Sequence, residues 1–327
     1  MSSALFSPLK IRGVTFANRI WVSPMCQYSA EDGVASAWHD VHIGSLSTGG
    51  AGLIIMEASG VTPEGRISTK CLGIWNEAQT KRLKPIVDFT HSQGTKIGIQ
   101  LAHAGRKGST MPPGSEHPFA TVAEGGWSAP APSEIPFGKM PTPHAMSAEE
   151  IKKTVTAFAD AAKRAVDAGF DLVEIHAAHG YLIHQFLSPL SNHRNDEYGG
   201  AFENRTRFLV EIVNAIRSVI PDSMPLFVRI SATDWVDGGW DLAQSIDLAR
   251  VLKHTGVDLI DVSSGGLSDQ QKISPAPGYQ VAFAEAIKSE VGIPVNAVGM
   301  IHEAEFANEV VASGKADAVM AARTFLR

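Results

Sequence analysis

The sequence predicts an α/β fold, a (β/α)8 TIM barrel in which residues 1–327 form one domain. Eight short apolar segments alternate with seven amphipathic ones, which is the order of strands and helices in such a barrel. Polar side chains follow the apolar segments, at the strand ends where barrels place their sites. An N-terminal hairpin and a long lid loop at 105–146, after the third strand, complete the prediction.

The elements are predicted from periodicity and from helix-end signals. The strands are short apolar and β-branched runs at 19–22, 53–57, 97–101, 172–176, 226–230, 259–263, 294–297 and 318–320. The helices are predicted at 38–47, 77–92, 148–168, 202–219, 242–254, 281–291 and 303–312. Ser147 and Glu150 form a capping box, and glycines end four helices, at Gly94, Gly169, Gly256 and Gly314. Only residues 321–327 follow the last strand, so we expect the closing C-terminal helix to be missing.

Composition excludes several classes of function. The net charge is −6 and no run of Lys or Arg stands out, which argues against nucleic acid and anionic membranes as partners. No apolar run reaches the length of a membrane span, and the N-terminus lacks a signal-peptide pattern. The two cysteines, Cys26 and Cys71, do not suggest a disulfide framework. We therefore expect a cytoplasmic protein.

The segment 171–181 carries the most informative pattern in the chain. A predicted buried strand ends at His176, and His179 and Tyr181 follow within five residues. Two imidazoles can donate hydrogen bonds to one developing oxyanion, and a phenol can deliver a proton nearby. The pattern indicates chemistry on a polarised carbonyl. A metal pair and a purely structural role are the alternatives, but two ligands alone do not make a metal site, and we predict no metal.

Strand-end residues also indicate a cofactor. Gln100 and Arg229 end the third and fifth strands, and small residues follow strands seven and eight, where many barrels hold a phosphate. The chain has no dinucleotide-binding fingerprint and no Walker loop. A phosphate-bearing cofactor in a barrel then suggests FMN or pyridoxal phosphate. The latter needs a lysine at a strand end, and none of the eight ends carries one, so FMN is favoured.

Four motifs together carry a resemblance to a known family. They are Ser23-Pro-Met-Cys-Gln-Tyr28, Gln100-Leu-Ala-His-Ala-Gly-Arg106, His176-Ala-Ala-His-Gly-Tyr-Leu182 and the run 188–200 that leads into Glu203-Asn-Arg205. Over essentially its whole length the chain resembles the old yellow enzyme family of FMN-dependent ene-reductases. The resemblance is closest to the bacterial subclass of the YqjM and xenobiotic reductase A type.

The resemblance implies a role for individual residues. Non-covalent FMN would be held by residues from several strand ends, namely Ser23, Pro24, Met25, Cys26, Ala58, Gln100, Arg229, Gly299, Ala322 and Arg323. His176 and His179 would bind the substrate carbonyl oxygen, Tyr181 would be the proton donor, and Tyr28 would line the substrate pocket. Cys26 replaces a threonine of the yeast-type enzymes and marks the subclass.

The resemblance also implies the reaction. NADPH would reduce FMN, which would then reduce the activated C=C bond of an enone, an enal or a similar acceptor, and quinones as well. A homodimer or homotetramer is expected. The alternatives are an FMN barrel of another reductase class and a non-enzymatic flavin protein. Dienoyl-CoA reductases add an iron–sulfur cluster, for which two cysteines are too few. A barrel isomerase acting on a sugar phosphate is a more distant alternative.

Overall fold

The computed structural model describes residues 3–326, and its centre is a closed barrel of eight parallel strands. Around the barrel the strands stand in the order β10-β11-β12-β3-β4-β5-β8-β9. In chain order the twelve strands are β1 (Leu9–Ile11), β2 (Val14–Phe16), β3 (Ile20–Val22), β4 (Leu53–Gly60), β5 (Lys96–Ala102), β6 (Pro130–Ala131), β7 (His144–Ala145), β8 (Leu172–Ala177), β9 (Leu226–Ser231), β10 (Leu259–Ser263), β11 (Val295–Ala297) and β12 (Ala318–Ala321). The predicted fold class is confirmed, and each predicted strand overlaps one strand of the barrel.

Eight α-helices lie between the strands. They are α1 (Ala37–Ser47), α2 (Glu77–Ser92), α3 (Ala148–Ala168), α4 (Leu182–Leu187), α5 (Phe202–Arg217), α6 (Leu242–His254), α7 (Val281–Val291) and α8 (Ala304–Ala312). Seven match the predicted helices, and the capping box of Ser147 and Glu150 begins α3 as predicted. The short α4 was not predicted, because six residues are too few to show a helical period, and all six are buried.

The N-terminal hairpin closes the bottom of the barrel. Strands β1 and β2 pair antiparallel, which places Phe16 against Trp21 of β3, with ring centroids 4.9 Å apart. Trp21 in turn stacks on Phe227 of β9 at 5.9 Å. These rings are fully buried in a cluster that fills the lower interior. Because this end is packed with apolar side chains, a ligand site in the barrel belongs at the opposite, carboxyl end of the strands.

The long loop after β5 packs against the protein along part of its length. Residues 113–118 are exposed, whereas Phe119, Trp127 and Phe137 are half-buried. Arg194 donates from Nη1 to the carbonyl oxygens of Pro132 and Met146, at 3.1 and 2.6 Å. Arg194 therefore ties the run 194–200 to the loop at two points, Pro132 and the last loop residue, Met146. A role of the loop as a lid stays a prediction.

The chain after β12 is short in the described structure. One 3-10 turn, Arg323–Leu326, follows the strand. None of the helices within residues 3–326 is long and apolar enough to cross a membrane.

Candidate active site

The two histidines and the tyrosine of segment 171–181 meet at the carboxyl end of the barrel. His176 lies in β8, and its ring meets the ring of His179 edge-on, with centroids 5.1 Å apart. The ring of Tyr181 meets His176 in the same manner at 4.9 Å. Tyr181 precedes α4, so it projects from the loop and not from the strand. The three predicted catalytic side chains therefore surround one position.

The backbone of residues 179–181 is held in an unusual conformation. His179 has a φ of 57°, in the left-handed region that L-residues seldom adopt. Its N–H donates to Ser231 Oγ at 2.9 Å, and the N–H of Gly180 donates to His184 Nδ1 at 2.9 Å. Gln185 donates from Nε2 to the Gly180 carbonyl at 2.7 Å. These buried contacts offset the strain and fix the direction of the His179 ring.

Burial keeps both imidazoles neutral. Desolvation lowers the pKa of His176 and of His179 well below the ordinary value, and the charge of Arg229 lowers both further. Each ring then carries a single N–H. His176 Nδ1 accepts from the N–H of Ala178 at 3.3 Å, so its proton is on Nε2. His179 Nε2 lies 2.7 Å from Ser263 Oγ, and that hydroxyl lies 3.5 Å from the acceptor oxygen Oε1 of Gln280.

Tyr181 and Tyr28 are both protonated phenols. Burial raises the pKa of Tyr181 well above its usual value and raises that of Tyr28 to about 12. Tyr28 has a φ of 52° and stands at the end of the segment 23–28 that follows β3. A phenol with a raised pKa keeps its proton at neutral pH, which is what a proton donor requires.

The segment after β3 is anchored by buried hydrogen bonds to Glu57. The N–H of Gln27 donates to Glu57 Oε2 at 3.1 Å, and the other oxygen of Glu57 lies 3.1 Å from His39 Nε2. A bulge in β4, between Met56 and Ala58, aims the Glu57 side chain at this segment. Ser23 Oγ accepts from Arg229 Nη1 at 3.0 Å. Ser23, which follows β3, and Arg229 of β9 were both assigned to the cofactor and are thus brought together.

The two cysteines are neighbours at this segment. The half-buried Cys26 shares a hydrogen bond with the buried Cys71, and that contact, together with burial, raises the pKa of the Cys26 thiol well above its ordinary value. Cys71 Sγ also accepts from the N–H of Ser68 at 3.3 Å. Cys26 therefore faces the site as a neutral thiol and not as a thiolate.

Arg229 has a counter-charge within the protein. Its Nε lies 3.2 Å from Oδ2 of Asp261 on the adjacent β10. Gln100 of β5 also has a protein partner, since its Nε2 donates to Glu174 Oε1 at 2.7 Å. Gln100 and Arg229, which were both predicted to bind the cofactor, are buried. Their protein partners fix the orientation of the two side chains.

The residues predicted for the phosphate line one cavity of about 220 Å³ at the ends of β10, β11 and β12. It includes Gly299, Ala322 and Arg323, and its inner wall reaches Ser263, the partner of His179. Gly299 has a φ of 122°, and a Cβ there would lie 2.8 Å from Gln280 Nε2. A side chain at this position would therefore collide with Gln280, which lines the same cavity, and the backbone conformation here favours glycine.

The sequence reasoning missed several residues of the site, chiefly Lys107, Glu174 and Asp261. Lys107 donates from Nζ to the carbonyl oxygens of His179 and Gly266, both at 2.9 Å, and lies 5.1 Å from the centre of the Tyr181 ring. Glu174 and Asp261 offered a signal, because a carboxylate inside an apolar strand is costly to bury without a partner. Across the described residues, no three His, Cys, Asp or Glu side chains gather as a metal site would require.

Comparison with known proteins agrees with this geometry. The sequence profile of the NADH:flavin oxidoreductase / NADH oxidase family matches residues 4–327. The NADPH dehydrogenase of Geobacillus thermodenitrificans is 49% identical over 330 residues, covering 100% of this chain and 92% of that protein. Among solved structures, the old yellow enzyme homologue from Zymomonas mobilis has a TM-score of 0.82 at 29% identity, covering 98% of this chain and 88% of that one.

Morphinone reductase in complex with tetrahydroNAD is similar as well, with a TM-score of 0.81 at 28% identity over 98% of this chain and 86% of that one. The match in sequence spans nearly the whole chain, and the match in structure includes the barrel and its site end. The chain is therefore a flavin-dependent oxidoreductase that belongs to the NADH:flavin oxidoreductase / NADH oxidase family, the FMN-binding family of the old yellow enzymes.

Proposed function

We propose that this enzyme uses NADPH to reduce the activated C=C bond of α,β-unsaturated carbonyl compounds. The observation that carries the proposal is the meeting of two neutral imidazoles and a protonated phenol around one position. Two neutral N–H donors suit a carbonyl oxygen that gains negative charge, and a phenol beside it suits protonation of the adjacent carbon. Quinones present the same carbonyl oxygen and are expected as acceptors too.

The residues present fit FMN. Arg229 keeps a buried Nε–H that meets no acceptor in good geometry, although Asp261 lies close. Glycine at position 299 leaves space beside Gln280 that a Cβ would take up. The ring system would lie along Ser23, Pro24, Met25, Cys26, Ala58, Gln100 and Arg229, and the phosphate at Gly299, Ala322 and Arg323. When bound, FMN supplies hydride transfer between a nicotinamide and the acceptor.

The protein's own residues bind the acceptor and move its proton. His176 donates from Nε2, and His179 from its single ring N–H, so that both hold the carbonyl oxygen. Tyr181 gives its phenolic proton to the carbon next to that carbonyl, the α-carbon, once this carbon has become basic. Tyr28 lines the same pocket from the segment after β3. Neutral imidazoles are suited to this role because they stabilise the oxygen without protonating it outright.

The nicotinamide reductant is supported by the relatives. Several curated relatives carry the name NADPH dehydrogenase, and the similar morphinone reductase was solved with tetrahydroNAD. A homodimer or homotetramer and a cytoplasmic location stay predictions from the resemblance and from composition. Light scattering of the purified protein measures the first of these directly.

One assay tests the proposed function. The purified protein, loaded with FMN, is given NADPH and 2-cyclohexenone without oxygen, and the product is identified by gas chromatography with mass spectrometry. Cyclohexanone is expected, formed in step with NADPH loss, and the double variant His176→Ala/His179→Ala should form far less. If menadione is reduced while cyclohexenone never is, the enzyme is a quinone reductase and the proposed acceptor class is wrong.

A further inference from the structure

A layer of polar side chains crosses the barrel interior beneath the candidate active site. It consists of buried residues from five consecutive strands, β5, β8, β9, β10 and β11, namely Gln100, Glu174, Arg229, Asp261 and Asn296. Gln100 Nε2 donates to Glu174 Oε1 at 2.7 Å, and Asn296 Nδ2 donates to Asp261 Oδ1 at 2.8 Å. Arg229 places Nε 3.2 Å from Asp261 Oδ2 and donates from Nη1 to Ser23 Oγ.

The charges of this layer do not balance if every group is ionised. The charged groups that face Glu174 are Arg229 of β9 and Asp261 of β10, and its neighbour on β5 is the uncharged Gln100. Two carboxylates and one guanidinium would leave a net charge of −1 at a position shielded from water. A buried uncompensated charge is costly enough that such a group takes up a proton instead.

The hydrogen bonds indicate where that proton lies. Glu174 Oε2 and Asp261 Oδ2 are both buried without a donor, yet the two carboxyl groups are within hydrogen-bonding reach of each other. Two carboxylate oxygens cannot hydrogen bond without a hydrogen between them. A single proton satisfies both oxygens at once. Asp261 accepts from Asn296 and pairs with Arg229, so it is the better site for the negative charge.

We propose that Glu174 is a positioning residue that keeps its proton at neutral pH and donates it to Asp261. The layer is then neutral, with Asp261 as the counter-charge of Arg229. The protonated carboxyl accepts from Gln100 through its other oxygen, which fixes the Gln100 amide for the edge of the flavin ring. This last step rests on the proposed placement of FMN, whereas the shared proton does not.

The titration of Glu174 agrees with this assignment. Burial and, secondly, the charge of Asp261 raise its pKa to about 8, against the opposing effects of Arg229 and of the hydrogen bond from Gln100. Burial also raises the pKa of Asp261, but Arg229 and Asn296 counteract that rise. Above about pH 8 the layer therefore gains a negative charge next to Gln100 and Arg229.

Infrared spectroscopy of the FMN-free protein tests the shared proton without any reaction. The wild type should show the carbonyl band of a protonated carboxyl at pH 6.5, and the band should disappear as pH rises through about 8. Glu174→Gln should lack it, and so should Asp261→Asn, in which Glu174 ionises beside Arg229. The control Glu285→Gln, at an exposed position, should keep it. A band that survives in both test variants overturns the proposal, as does its absence from the wild type.

Binding of FMN to the same FMN-free proteins tests the positioning role. The dissociation constant, measured by quenching of FMN fluorescence, should rise by up to tenfold per pH unit above about pH 8 in the wild type. Glu174→Gln should bind with little change over the same range. Lys107→Met should show the same dependence of the dissociation constant on pH as the wild type. That result distinguishes an effect of Glu174 from an effect of the nearby lysine. If the wild-type dissociation constant does not change between pH 6 and 9.5, the positioning role is wrong. The infrared result on the shared proton would be unaffected.

Discussion

At the scale of single residues, the site depends on protonation states that burial imposes. His176, His179 and Tyr181 carry side chains that titrate within reach of neutral pH or above it in water. In the protein all three are held uncharged because the ionised forms lose their hydration. The chemistry that we propose for them is donation of hydrogen bonds and delivery of one proton, not general base catalysis by histidine.

Tyr181→Phe should separate the two halves of the reaction. The change keeps the ring that packs on His176 and removes only the hydroxyl. Reduction of the flavin by NADPH needs no proton from this residue, so its rate should stay nearly unchanged, whereas reoxidation by an enone should slow. Reoxidation by a quinone should suffer less, because its oxygens can take protons from water. Stopped-flow traces of both half-reactions measure this, and equal slowing with quinone and enone would show that Tyr181 is not the acid.

The histidine pair should be visible through phenol binding. Phenols resemble an enolate, and with the oxidised enzyme they should give a long-wavelength charge-transfer band. His176→Ala and His179→Ala should each weaken the band and slow reoxidation by an enone by about 10²–10³, as loss of one oxyanion donor does elsewhere. A double variant that still binds phenol with wild-type affinity would refute the assignment.

At the scale of elements, the site is built where two loops touch. The backbone of 179–180 lies so close to that of 266–267 that a Cβ on Gly266 would stand 2.6 Å from the backbone of His179. Lys107 joins the same two loops through its ammonium group, which also lies 4.5 Å from the centre of the Phe137 ring in the long loop. The direction of the catalytic side chains is therefore set by contacts between loops that are distant in sequence.

Gly266→Ala should damage the site more than it damages the fold. Gly266 has a φ of 91°, so alanine adds about 1–2 kcal/mol of backbone strain and also displaces His179. Gly94→Ala is a matched control, since its φ of 80° brings similar strain but a Cβ there meets nothing within 4 Å. Both variants should lose stability in urea unfolding, and only Gly266→Ala should lose the phenol band. Equal phenol binding in the two variants would mean that the close approach is unimportant.

Lys107→Met should loosen the long loop. The change keeps an unbranched side chain but removes the charge and both hydrogen bonds, which leaves two carbonyl oxygens without that donor. We expect faster proteolysis within the exposed part, residues 113–118, and a several-fold higher KM for the enone. Lys153→Met, at an exposed position on α3, is the control for surface charge. Unchanged proteolysis in Lys107→Met would remove the link between this residue and the loop.

At the scale of the whole molecule, buried neutral histidines limit the stability of the fold at acidic pH. His103 is buried, its Nδ1 accepts from the N–H of Gly105 at 3.1 Å, and burial lowers its pKa to about 3. Between pH 6.5 and 3 the unfolded chain binds a proton at this site that the folded protein does not. The free energy of unfolding should therefore fall as pH falls, by up to about 1.4 kcal/mol per pH unit for each such group.

His103→Asn should make that decline shallower. Asparagine keeps an acceptor for Gly105 and removes the titration, so unfolding in urea at pH 7, 6, 5 and 4.5 should show a smaller loss than in the wild type. His176 and His179 remain in this variant and should still contribute to the fall in the free energy of unfolding with falling pH. The exposed His254→Asn serves as the control and should follow the wild type. If the His103→Asn decline is as steep as the wild type, His103 does not titrate as proposed.

The sequence by itself determined the barrel and the identity of most side chains at its carboxyl end. Periodicity is local, so the eight strands and seven helices could be located, and the polar residues at strand ends marked the site. What only the tertiary structure decided is how those side chains are paired and charged. The structure pairs Arg229 with Asp261, Gln100 with Glu174, and Lys107 with two loops. These contacts join adjacent strands or segments 72 to 159 residues apart. Burial and distance set protonation, and neither can be read along the chain, because both depend on which segments the closed barrel brings together.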